Sequence, residues 1–252
     1  MDDSTESGGR KTEPAFWRRD SPVRLRLPST LRIDVSNITS LLKKHVRSGD
    51  RYIEIGCAPG KLLAWVASTL HARAEGLDYS DSGVLQCRRL FNALNLDIAL
   101  HHEDLFNSTL RDASFDVVAS FGFIEHFADP APAIYQHLRL LRPGGKALIA
   151  IPNYAGVYGR LQKWCDPENL AAHNVDIMHL GALRSLAETL GVEGIRAYPF
   201  GRVDASLVSW GKKLPMAVTT LLQLGVNGIG LLQPSIVPAL APLLVLELCT
   251  TH

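Results

Sequence analysis

Between residues 52 and 152 the chain alternates short apolar runs with longer amphipathic ones, and this rhythm limits the fold more than any other feature. The runs 52–56, 74–78, 98–102, 115–121 and 146–152 are bounded by Gly, Asp or Pro, as strands are. Helical patterns at 61–70, 82–94 and 131–141 separate them, while 104–115 leaves room for only a turn of helix. Strand, helix, strand in repetition requires parallel strands joined by right-handed crossovers, hence an α/β, doubly wound sheet. Upstream, "IDVSNITSLLKKHV" puts Ile38, Leu41, Leu42 and Val46 on one helical face.

At 252 residues and 46% hydrophobic, the chain is long enough for one large domain with a buried core. Residues 1–13 have the Ser, Gly and charge content of a disordered tail, so the expected domain is 14–252. Lys plus Arg number 26 against 25 Asp plus Glu, which removes any overall electrostatic drive towards nucleic acid. The basic entry segment with Arg18, Arg19, Arg24 and Arg26 is read as a solvated lid and not as an RNA site. The four cysteines form no CxxC pair, so neither a zinc ribbon nor a disulfide framework is expected. "MDDSTESGG" is acidic where a signal peptide is basic and then apolar, so a cytoplasmic location is the expectation.

After the fifth strand the rhythm changes. "NYAGVYGRLQKWCDPENLAAHNVD" is an insertion, "LGALRSLAETLG" a helix stopped by Gly191, "VEGIRAYPF" a sixth strand and "PLLVLELCT" a seventh. From Leu214 to Leu246 there is no Asp, Glu, Lys or Arg. Gly225, Gly228, Gly230, Pro234, Pro238 and Pro242 are expected to break any continuous helix there, and a membrane span needs about 20 unbroken apolar residues. The insertion 201–241 is therefore expected to pack over the substrate site as a lid or into a homodimer seam, with core packing and membrane-surface contact as the other readings.

In a doubly wound sheet, ligands bind at the carboxyl ends of the strands, where the first strand's loop lies. In "YIEIGCAPGKLLAWV", Gly56 and Gly60 lack Cβ and allow a tight turn with close approach of a ligand to main-chain N–H groups. The spacing E-x-G-x-x-x-G is not the G-x-G-x-x-G of nicotinamide sites. Asp78, about twenty residues beyond the turn, stands where an acid accepts both hydroxyls of a ribose. Asp104 ends the third strand, placed to accept from an exocyclic amine of adenine.

Glu54-Ile55-Gly56-Cys57-Ala58-Pro59-Gly60, Asp78, Glu103-Asp104, "FDVVASFGFIEHF" and "LRPGG", in this order, resemble the class I S-adenosylmethionine-dependent methyltransferases, small-molecule branch, over about residues 37–200. The resemblance implies a Rossmann-like sheet of seven strands, the last antiparallel and lying between the fifth and sixth. It puts Gly56, Cys57 and Gly60, with Ala58 between them, against the methionine part of S-adenosyl-L-methionine through backbone contacts, and has Glu54 order that loop or meet the amino group. Asp78, followed by Tyr79 and Ser80, would hold the ribose, with Tyr79 along the adenine. Asp104 and Leu105 would read its edge, and Phe121 and Gly122 would line the methyl-transfer channel. Ala58 departs from the glycine often found there.

A sulfonium already activates its methyl group, so the protein must exclude water, align the reacting atoms and remove a proton where the acceptor carries one. No metal is expected. The base candidates are His126, His173 and His179, with Glu125 as an orienter, because histidine titrates near about 6.5. Two have a plainer reading: His126 as a cap or bridge to the helix that follows, His179 as a helix start. Tyr154, Tyr158 and Trp164 would wall a ring-bearing or lipidic small-molecule acceptor, or simply pack. "IPNY" resembles the tetrad of amino-group methyltransferases but follows the fifth strand, where the tetrad does not belong. The expected activity is O- or N-methylation of a small hydrophobic metabolite, as in natural-product biosynthesis. The alternatives are a membrane-associated lipid or quinone-like acceptor, and a non-catalytic S-adenosylmethionine-binding partner subunit. A NAD-dependent oxidoreductase is the weak fold-level alternative.

Overall fold

The computed structural model describes residues 9–12, 16, 24–192, 194–233 and 236–250. Residues 1–8 and 13 of the expected tail, with Arg18, Arg19 and Pro234, lie outside the described residues. In chain order the elements are α1 (Ile33–His45), β1 (Arg51–Ile55), α2 (Lys61–Trp65), β2 (Arg73–Asp78), α3 (Asp81–Ala93), β3 (Ala99–His102), β4 (Phe115–Phe121), α4 (Ala131–Leu140) and β5 (Leu141–Pro152). There follow α5 (Val157–Cys165), α6 (Pro167–Ala171), α7 (Leu180–Glu188), β6 (Gly194–Phe200), α8 (Met216–Leu232) and β7 (Leu243–Cys249).

The seven strands form one sheet in the order β3-β2-β1-β4-β5-β7-β6. Six run in one direction, and β7, which pairs antiparallel with both β5 and β6, runs against them. Strand order reverses between β1 and β4, so the loops after these strands flank the crevice where such sheets bind ligands.

Because successive strand side chains point to opposite faces, one run feeds two cores. Tyr52, Val117 and Leu148 pack with Leu42, Leu63 and Leu90, whereas Ile53, Val118 and Ile149 pack with Ile134, Leu140 and Leu183. Both faces being covered explains why the strands read as near-continuous apolar runs. The exception in β7 is Glu247, 3% exposed, which meets Lys146 Nζ at 3.1 Å and lies 3.7 Å from His45 Nδ1. A buried carboxylate on a sheet face needs such partners.

Four expectations are corrected. The helix expected over 61–70 widens after Trp65 into a π-turn, Val66–Leu70, ending at His71 with φ 55°. The fifth strand starts at Leu141, because the Pro-Gly-Gly segment stays within it as an irregularity that shifts register between Phe115 and Val117. The charge-free stretch contains a continuous helix, α8, of 17 residues. Gly230 lets α8 pack closely: a Cβ there would lie 2.4 Å from Val203 O, so this glycine serves contact and not breakage. No described helix is long and apolar enough to cross a membrane. Finally, Gly9–Thr12 of the expected tail are ordered against the domain: Ala128 N–H donates to Gly9 O, Lys11 N–H donates to His126 O, and Thr12 is buried.

Gly159 shows how tightly the segment after β5 is held. A Cβ on it would fall 1.8 Å from Tyr154 O. Gly159→Ala is expected to destabilise the fold by about 1–3 kcal/mol, as overpacking does; urea unfolding measures this, and an unchanged midpoint would contradict the packing described.

Candidate active site

A cavity of about 730 Å³ opens over the carboxyl ends of the central strands, lined by Gly56, Ala58, Asp78 and Tyr79 at one end and Glu125, His126, Tyr154 and His173 at the other. Phe121, Gly122 and Phe123 lie between them. Its size is within the range of small-molecule and cofactor sites.

The loop from β1 to α2 is a tight reversal. Gly56 and Gly60 have φ of 69° and 81°, and a Cβ on Gly60 would lie 2.8 Å from the Phe91 ring. Both the conformation and the space therefore select glycine. The N–H groups of this loop are, however, engaged within the protein: those of Gly56 and Cys57 donate to Leu77 O, that of Gly60 to Cys57 O, and that of Ala58 to Asp78 Oδ2 at 3.0 Å. The expected N–H approach is thus corrected: these donors are already used, and the turn meets the cavity through Gly56 and Ala58.

Asp78, at the end of β2, is 7% exposed; besides Ala58 N–H it accepts the Ser80 N–H at Oδ1, 2.9 Å. Ser80 caps α3 by accepting the Gly83 N–H at 3.2 Å. One carboxylate thereby ties the glycine turn to the start of the next helix. Asp104 accepts the Phe106 N–H through Oδ1 and meets Arg10 Nη2 at 2.5 Å through Oδ2, while the Arg10 guanidinium lies 4.6 Å from the Tyr79 ring centroid. Arg10 was excluded with the tail, and no local pattern in "GGRKTEP" signals its contact 94 positions away.

At the opposite end the His126 and His173 rings stand 4.7 Å apart, with Tyr154 edge-on to His173 at 5.2 Å. Each ring engages a carbonyl through Nδ1: Ala172 O for His126 at 3.1 Å and Asn169 O for His173 at 2.7 Å. A carbonyl can only accept, so both Nδ1 atoms carry hydrogen and both Nε2 atoms carry lone pairs. Burial, with His173 nearby, pushes His126 down to about 4, and burial lowers His173 as well. Burial alone raises Glu125 to about 8. Both rings are therefore neutral at pH 7.

Several expected site residues fall elsewhere. The Cys57 side chain faces the core, where a Cβ on Gly76 would lie 2.7 Å from its Sγ, so any contact with a ligand is left to its backbone, as expected. Glu54 lies beneath the loop, outside the cavity lining, accepting the Tyr52 hydroxyl at 3.3 Å; burial raises it to about 8. Leu105 is core. Tyr158 lies outside the cavity lining, and its hydroxyl donates to Leu240 O and accepts the Asp204 N–H, tying down the segment around α8. Trp164 is 54% exposed, and His179 is an exposed residue preceding α7; neither lines the cavity, so both are corrected as wall and base. Ser206, Leu207 and Ser209, from the segment before α8, line the cavity without any motif to announce them.

Sheet order, glycine turn and strand-end acids are arranged as the resemblance to class I S-adenosylmethionine-dependent methyltransferases implies, and the family match falls on the part of the chain that carries them. Residues 53–149 match the family described as Methyltransferase domain. The chain is 32% identical over 108 residues to a ubiquinone biosynthesis O-methyltransferase of Alkalilimnicola ehrlichii, covering 42% of this chain and 42% of that protein. It is 29% identical over 118 residues to the 27-O-demethylrifamycin SV methyltransferase of Amycolatopsis mediterranei, covering 44% and 43%. The matches thus span less than half the length of these relatives. The Haemonchus contortus phosphoethanolamine N-methyltransferase 2, solved with phosphomonomethylethanolamine and S-adenosylhomocysteine, shares the fold at TM-score 0.60 and 16% identity, over 85% of this chain and 52% of that one.

The buried carboxyls have a measurable consequence. Glu54 goes from an ordinary value of 4.5 when unfolded to about 8 when folded, so its contribution to stability is fully present below 4.5 and lost as pH rises through 8. Glu54→Gln is expected to gain stability relative to the parent protein on the order of 1 kcal/mol per pH unit over that interval. Denaturation at pH 5 and pH 8 measures it, and an equal difference at both would contradict the burial of an ionisable group.

Proposed function

We propose that this chain binds S-adenosyl-L-methionine along the cavity and transfers its methyl group to an oxygen or nitrogen of a small, largely apolar acceptor. The observation that carries this reading is Asp78, which meets the glycine turn at the carboxyl end of β2 with its carboxylate on the cavity wall. The methionine end would lie over Gly56 and Ala58, the ribose on Asp78, the adenine beside Tyr79 and Asp104, and the sulfonium near Phe121 and Gly122. The acceptor would then occupy the end with His126, His173 and Tyr154. The names of the two curated relatives, both O-methyltransferases of small molecules, support oxygen as the acceptor atom.

Methyl transfer breaks the carbon–sulfur bond and forms a carbon–oxygen or carbon–nitrogen bond, leaving a neutral thioether. An acceptor proton has the neutral imidazoles as the nearest groups able to take it. Phe16, Phe123, Phe127 and Leu207 on the walls would exclude water.

A second reading concerns where the acceptor comes from. The helix α8 exposes Met216 (84%), Leu221 (71%) and Leu232 (86%), no charge interrupts it, and Lys212 and Lys213 are exposed just before it. The preceding cavity-lining segment packs beneath it through Asn227 Oδ1, which accepts the Ala205 N–H. Those features favour contact with an anionic membrane surface carrying a lipid-soluble acceptor.

Asp78→Ala is expected to weaken S-adenosylhomocysteine binding at least about 10-fold, the worth of one charged hydrogen bond; undiminished binding by calorimetry would remove the ribose assignment. Incubation with labelled S-adenosylmethionine and a metabolite extract identifies the acceptor by what gains label. In flotation with anionic vesicles, the parent protein is expected to float and Leu221→Glu to stay behind, and a protein that never floats contradicts the membrane reading.

A further inference from the structure

We propose that Glu125, His126 and His173 form a binding site for one divalent transition-metal ion, with open coordination positions for an oxyanion of the acceptor. One ligand atom from each residue lies within 4.8 Å of the others, and all three residues are buried and line the cavity. His126 Nε2 stands 4.0 Å from Glu125 Oε1, so modest side-chain adjustment brings both to metal-ligand distances of about 2.0–2.2 Å from a common ion.

Two further observations point to a ligand at this place. The first is the orientation of the rings: the carbonyls of Ala172 and Asn169 hold both Nδ1–H groups, which fixes the tautomer and leaves Nε2 as the donor atom. Ligating histidines are held in this way by outer partners. The second is Glu125 Oε2, which is inaccessible to solvent and has no hydrogen-bond partner, in a residue 1% exposed. A buried carboxyl oxygen without a partner is costly, and a cation supplies the missing one.

Two imidazoles and one carboxylate favour a borderline ion such as Zn²⁺, Co²⁺, Mn²⁺ or Fe²⁺ over Mg²⁺ or Ca²⁺, which prefer oxygen shells. Lys11, whose ammonium donates to His173 O at 2.8 Å, is a nearby positive charge, but it is exposed and screened by water. One carboxylate leaves the ion with a net positive charge, which an acceptor binding as phenolate or enolate completes. The chemical role rests on the methyltransferase reading above, whereas occupancy of the site does not. In that role the hydroxyl oxygen coordinates, its proton passes to water, the oxygen takes the methyl carbon, and the sulfonium leaves as a thioether. The ion keeps its oxidation state throughout, and the imidazoles then serve as ligands and not as bases.

The test titrates chelator-treated full-length protein with Co²⁺, following visible d–d absorption and calorimetry, and measures S-adenosylhomocysteine affinity in the same samples. One equivalent of Co²⁺ is expected to bind, and Glu125→Gln and His173→Gln are each expected to weaken it at least about 100-fold, the upper end of what loss of even an outer-shell partner costs. Unchanged S-adenosylhomocysteine affinity in both variants would show that the fold is kept. A protein that binds S-adenosylhomocysteine but no Co²⁺, or whose Co²⁺ affinity survives both substitutions, overturns the metal site and leaves the cofactor reading standing. Stoichiometric Co²⁺ binding that both variants lose, without S-adenosylhomocysteine binding, supports the site and overturns the cofactor reading instead.

Discussion

The organisation of the cavity depends on one buried carboxylate. Asp78 accepts one N–H from the turn after β1 and another from the residue that caps α3, so two helices are positioned by a single side chain at the end of β2. With its oxygens held by fixed main-chain donors, the acid has little freedom to turn away from the cavity. Preorganisation of this kind reduces the entropy lost when a ligand binds. The same contact takes up one of the turn's N–H groups, and the others are used in joining strand, turn and helix.

The two ends of the cavity differ in physical character. The turn end is built from main chain and charged side chains: Asp78 and Arg10 line it, and Asp104, outside the lining, pairs with Arg10. The far end is built from rings whose burial holds them neutral, around a carboxyl held protonated. Residues 10–12 run from one to the other: Arg10 reaches Asp104 and Tyr79, while Lys11 holds the carbonyls of His126 and His173. Arg10 and Thr12 of this segment line the cavity.

Most of the fold was legible because its determinants are local or periodic. Strand runs with turn residues at their ends placed β1 to β5 to within a few residues, and the alternation of strand and helix implied the parallel sheet. The position of β7 between β5 and β6 came from family resemblance, since no local pattern dictates which neighbour a strand chooses. At the site, Asp78 and the two glycines stood out because strand-end chemistry demands particular residue types. Arg10, Ser206 and Leu207 did not, because their position depends on contacts distant in sequence. His179 and Trp164 misled for the complementary reason: suitable chemistry in a suitable segment says nothing of which way a side chain turns. Gly225, Gly228 and Gly230 suggested breakage, yet α8 runs through all three, its apolar neighbours outweighing a propensity cost of about 1 kcal/mol each.

The placement of β7 also governs how the chain can assemble. β6 pairs with β7 alone, and β5 has β4 on one side and β7 on the other. Until the last strand has been synthesised, a nascent chain therefore carries one unpaired sheet edge and one strand with no neighbour at all. Such edges invite association between molecules. Closure waits for pairings such as Lys146 with Cys249, a separation that makes completion of the sheet slow relative to the local crossovers preceding it.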